Sequence, residues 1–96
     1  MLKYFKLTSG EDIIAELVEH NGDTYKLKIP VRIMLTQQGP GMIPWLLFGK
    51  STTCEINNKH VLTVVEADDE MKNAYNERFG GGIVTATGPD LHKFAQ

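Results

Sequence analysis

Three histidines, one cysteine, two isolated serines, a run of three acids and a glycine triplet are the residues of this 96-residue chain best suited to chemistry. His20, His60 and His92 fall in different segments and form no HxxxH, CxxC or facial-triad spacing, so no metal site is expected. Ser9 and Ser51 have neither a nucleophile-elbow context nor a histidine close in sequence, which leaves hydrolase chemistry without support. The glycines Gly80-Gly81-Gly82 follow a helical pattern instead of opening one, so their amides are not aimed along a helix N-terminus at a phosphate. Asp68-Asp69-Glu70 stands at a helix start, where acids cap far more often than they bind cations. Cys54 has no partner for an internal disulfide and reads as a reduced thiol of a cytoplasmic protein. No active site and no cofactor are expected.

The length allows one domain, and 42% hydrophobic with 23% charged residues is ordinary for a globular chain. No run of about 18 apolar residues is present to cross a membrane, and the first residues show no secretory signal. The net charge of −2 gives no overall pull toward nucleic acid. Its distribution is uneven: residues 1–59 balance to +1 and residues 60–96 to −3. Any anion-binding surface therefore belongs to the first part.

The elements that must position these groups are mostly strands. Tyr4 to Thr8 reads as a first strand ended by Ser9-Gly10, and Asp12 to His20 as a second. Asn21-Gly22 is a strong hairpin signal. A long alternation follows, with Tyr25, Leu27, Ile29, Val31, Ile33 and Leu35 on one face and Lys26, Lys28, Arg32 and Thr36 on the other. Pro30 interrupts it and marks a bend through which the strand is expected to keep its phase. After a loop at 37–41, the run Ile43 to Phe48 reads as a strand without alternation, one that needs cover on both faces. Thr52 to Ile56 and His60 to Glu66 flank the turn Asn57-Asn58-Lys59. About five strands in meander order imply an antiparallel, partly closed barrel. Met71, Ala74, Tyr75 and Phe79 then form one helical stripe over 68–79, capped by Asp68 and stopped at Gly80. The domain is expected to span 1–80, and 81–96 to be a glycine-hinged, mobile tail whose Ile83, Val84, Leu91 and Phe94 could fold on a protein partner.

Taken together, LTSGEDIIAELVEHNGDTYKLKIP resembles the first signature of the Sm-like (LSm) family, through Leu7, Ser9-Gly10, Ile13, Leu17, Asp23, Tyr25 and Leu27. CEINNKHVLTVVE resembles the second signature, with Ile56 and Val61 on the apolar positions. The helix after the last strand is similar to that of the small Sm-like proteins encoded by tailed phages of cyanobacteria. The resemblance covers residues 3–79 and departs from RNA-gripping members at three places. Leu27 stands where they have asparagine, Asn57-Asn58-Lys59 where they have Arg-Gly, and Ala15 where they have the glycine of the bend.

The resemblance implies a small, strongly bent five-stranded barrel that assembles into a cyclic homo-oligomer of five to seven copies, in the host cytoplasm if the gene is a phage's. Its fourth strand would pair with the fifth strand of a neighbour. That makes Ile43, Trp45, Leu46, Leu47 and Phe48, with Val61, Thr63 and Val65, the candidate interface. The C-terminal helix, through Met71, Tyr75 and Phe79, is the alternative cover for the same run. The resemblance also implies that both turns face a pore. Asp23, Tyr25, Lys26, Asn57, Asn58, Lys59 and His60 are then the candidates for single-stranded RNA, which needs a stacking aromatic and cations repeated by symmetry. The competing expectation is a structural or regulatory module that binds protein and no nucleic acid.

Overall fold

The computed structural model describes residues 1–79: six antiparallel strands and one C-terminal helix. The glycine hinge and the tail expected at 81–96 lie outside the described residues. The strands are β1 (Leu2–Leu7), β2 (Asp12–Asn21), β3 (Thr24–Thr36), β4 (Gly39–Pro44), β5 (Thr53–Asn57) and β6 (Val61–Glu66); a short 3-10 turn, Asn58–His60, joins the last two. Helix α1 spans Asp69–Arg78. The strand order is β4-β3-β2-β1-β6, with β5 also paired to β3. The meander therefore holds through β4. Then β5 returns to the first half of β3, pairing Thr24–Lys28, while β4 pairs Val31–Thr36. The sheet is not closed: β4 and β5 form one margin and β6 the other.

The hairpin turn is Gly22-Asp23 and not Asn21-Gly22, since Asn21 already pairs with Thr24. Gly22 takes the positive φ of 43° that this turn requires.

The bend of β3 departs most from expectation. Ile29 adopts φ 50°, a left-handed conformation disfavoured for a β-branched residue and further restricted by Pro30 after it. The β2–β3 register shifts by one between Ile14 and Glu16, so β3 carries an extra residue there. The strand does not keep its phase. Leu27 packs with Phe5, Leu7, Ile13 and Ala15, whereas Val31 packs with Leu2, Ile14, Met42 and Tyr75. Because Ile13 and Ile14 sit in different clusters, the two cores occupy opposite faces of the sheet.

The first core draws partly buried residues from both margins, Trp45, Cys54 and Ile56 on one side and Val61 and Val64 on the other. The sheet therefore curls around Phe5 without closing. The second core lies under α1, whose Met71, Ala74 and Tyr75, with the capping Phe79, all pack on it, as their spacing predicts. Asp68 caps the helix by accepting from the Met71 N–H at 2.8 Å. The Tyr75 hydroxyl donates to the Ile29 carbonyl at 2.8 Å, so the helix holds the bulge in place.

The fourth strand is displaced toward the N-terminus: β4 runs through Gly39–Gly41, expected as loop, and ends at Pro44, so Trp45 to Phe48 belong to no strand. The chain leaves the sheet after Pro44 and rejoins it at Thr53. Both feet of this excursion are tied to the bulge: the Trp45 N–H donates to the Pro30 carbonyl at 2.9 Å, and the Ile29 N–H donates to the Thr52 carbonyl at 2.6 Å. An extra residue in β3 leaves no straight partner for a continuous strand opposite. Phe48 is 98% exposed, so α1 does not cover the apolar run either.

Candidate functional site

The two turns named from sequence lie side by side. The Asn58 N–H donates to the Asp23 carbonyl at 2.7 Å, and the Asn58 Nδ2 donates to the Gly22 carbonyl at 2.8 Å. The second bond fixes the amide orientation, so its Oδ1 faces the His20 Nε2 at 3.3 Å. An amide oxygen only accepts, so this contact is a hydrogen bond in the tautomer that places the proton on Nε2. Asn57 caps the 3-10 turn by accepting from the Lys59 N–H at 2.9 Å. Residues about 36 apart in sequence are thus held as one rigid surface.

Tyr25 stands at its centre but is not free. Its ring stacks on His20 at 4.0 Å and 12° and meets Phe5 edge-on at 5.5 Å and 77°. The stack follows from register, because His20 and Tyr25 face each other across the two-residue turn. His20, exposed on the outer side of the stack, is the functional candidate that sequence reasoning passed over as an ordinary surface residue. The signal that could have found it is its equal distance, with Tyr25, from the centre of the hairpin.

The charges are less favourable to an anion. Lys26 is flanked across the strands by Glu19 on β2 and Glu55 on β5, and Lys28 by Glu16. Among the described residues, no carboxylate lies within ion-pair distance of Lys59 on the exposed turn. His60 is set apart: its carbonyl accepts from the Thr8 N–H at 2.8 Å, and its side chain lines a cavity of about 210 Å³ with Ser9, Glu11 and Trp45. The structure therefore joins Asp23, Tyr25, Asn57, Asn58 and Lys59 and turns His60 toward the β1–β2 end.

Of the candidate interface residues, Ile43 lies exposed on β4, and Thr63 and Val65 lie exposed on β6. Val61 and Trp45 are half-buried against the first core, and the Trp45 Nε1–H reaches the Glu11 Oε2 at 3.4 Å. Leu46, Leu47 and Phe48 belong to the excursion and to no strand.

A second polar group lies on the helix-covered face. The Tyr4 hydroxyl donates to the Asp12 carboxylate at 2.5 Å and the Lys6 Nζ donates to the same oxygen at 3.0 Å. The tyrosine bond holds Asp12 below the ordinary carboxylate range, while Tyr4 is pushed up to about 12, chiefly by that bond and then by burial. Burial, then the neighbouring Glu55, raises the Cys54 thiol, which makes it a poor nucleophile. Among the described residues, no three His, Cys, Asp or Glu side chains are grouped to hold a metal ion, and no helix is long and apolar enough to cross a membrane. No family model matches the chain, and no curated protein matches it.

Proposed function

We propose that this chain is the subunit of an Sm-like ring whose joined turns meet single-stranded RNA. The observation that carries this reading is the locked platform of His20, Tyr25 and Asn58, with Asn57 and Lys59 beside it. Such a platform offers an imidazole face for a base and amide groups for its edge, and Lys59 for the phosphate. Cyclic repetition multiplies Lys59 by the number of copies, so a chain of modest charge still presents a positive rim. The open margins support assembly. An unpaired strand edge exposes backbone donors and acceptors, and ring closure pairs them without fibre growth.

Binding of oligo-U, oligo-A and single-stranded DNA across a salt series tests the reading. Affinity should fall steeply as salt rises, and His20→Ala should weaken it about ten-fold, the lower end of what one stacked base is worth, with particle size unchanged. No binding at low salt refutes it. The carboxylates flanking Lys26 and the exposed Leu47 and Phe48 would then favour the second reading, a ring that serves as a docking module for protein.

A further inference from the structure

Two features of the fold have no counterpart within the described chain. The first is the tip of the excursion between β4 and β5. The Gly49 N–H donates to the Leu46 carbonyl at 3.2 Å, which makes Leu47 and Phe48 the central residues of a tight turn. Turn tips are normally built from Gly, Pro, Asn, Asp or Ser. Here they are leucine and phenylalanine, 57% and 98% exposed, with Lys50 two residues on. The second is a cavity of about 290 Å³ between the sheet and the start of α1. Ile14, Ile33, Ala67 and Met71 wall it, and Leu35 stands at its lip, 86% exposed. Its polar rim is Asp12, already bound by Tyr4 and paired with Lys6, and Asp68, the cap of α1. This volume sits at the bottom of the range of about 300–1,000 Å³ for small-molecule sites, which suits one large side chain better than a cofactor.

The two features meet when sister copies pair at their edges. On one margin β4 carries Pro40 and Pro44, which have no N–H to offer, whereas β5 contains no proline. The free edge of β6 therefore finds its better partner in β5. Every pairing within the sheet is antiparallel. One antiparallel register of β5 on β6 of the next copy sets its Thr53 beside Glu66. The excursion ending at Thr52 then arrives at Ala67 and Asp68, the wall and rim of the cavity.

We propose that Phe48 of one copy seats in this cavity of the next, with Lys50 against the Asp68 carboxylate at its rim. The inference rests on the ring assembly proposed above and names the contact that fixes its register. The aromatic tip meets apolar walls and the cation meets the Asp68 carboxylate, so shape and charge agree. The partner is a second copy of this chain.

Two cysteine variants on a Cys54→Ser background test it. One carries Leu47→Cys beside the tip, the other Leu35→Cys at the lip; both positions are exposed, so folding is spared. On mixing and mild oxidation, a disulfide-linked dimer should form from the mixture and from neither variant alone. Phe48→Ser should raise the concentration for half-assembly about ten- to a hundred-fold, as expected when one phenylalanine loses its burial. Particles of ring mass that give no mixed cross-link, whether another segment fills the cavity or nothing does, overturn the seat and leave edge pairing standing. A chain that stays at 10.7 kDa overturns both.

Discussion

Removal of a single oxygen, by Tyr75→Phe, tests how the bend is held. Tyr75 is 3% exposed, and its hydroxyl donates to the carbonyl of Ile29, the residue with φ 50°. Burial raises its pKa, so the phenol is neutral and donating throughout the neutral range. Phenylalanine keeps the ring against Ile14, Val31 and Met42, so the apolar contribution is unchanged. What is lost is one partly buried hydrogen bond, leaving the Ile29 carbonyl without that donor at a cost of about 1–3 kcal/mol. A left-handed β-branched residue stores a further strain of about 1–3 kcal/mol, which this bond helps to hold. We therefore expect a loss of about 2 kcal/mol, toward the middle of that hydrogen-bond range, in urea unfolding followed by circular dichroism, with the m-value unchanged. In thermal unfolding this corresponds to a fall of about 10 °C for a domain of this size. A loss below about 0.5 kcal/mol, the spread of an ordinary surface substitution, would show that α1 does not hold the bulge.

The same strain gives Ile29→Gly an unusual profile. Relief of the backbone offsets the lost side chain, so stability should change by less than about 1 kcal/mol, whereas Ile13→Ala in the first core should cost about 2–5 kcal/mol in the same titration. Tyr4 and Asp12 give a two-sided pH dependence. Asp12 is depressed in the folded chain, so its contribution is present above the ordinary aspartate value and is lost as pH falls through the folded one. Tyr4 is raised, so its contribution is present below the ordinary tyrosine value of about 10 and is lost as pH rises toward about 12. Ultraviolet titration should find a phenolate appearing near 12 that Asp12→Asn shifts downward; an unshifted titration would dismiss the pair.

Much of the fold was legible because its signals are local. The stripe from Met71 to Phe79 and the cap at Asp68 need only helical period and one side chain, and both stand as read. The strands were legible from alternation, and the bend from Pro30. The phase change at Ile29 was not, because an isoleucine before proline is among the residues least suited to a left-handed backbone. That one residue also hid the excursion. Ile43 to Phe48 reads as a strand covered on both faces, yet the bulge binds Trp45 and Thr52 at the feet of the excursion, and what lies between leaves the sheet. At the turns, the candidates Asp23, Asn57 and Asn58 were legible as turn residues, while the bonds from Asn58 to Gly22 and Asp23 depend on β5 returning to β3. His20 escaped notice because its role arises from register across a turn displaced by one residue.

Solution mass tests the central claim, that the edges of β5 and β6, unpaired among the described residues, are covered by sister copies. Light scattering on the full chain at micromolar concentration should give one particle of five to seven times 10.7 kDa, unchanged on modest dilution. A monodisperse particle of 10.7 kDa would contradict it, and with it both the ring and the Phe48 seat.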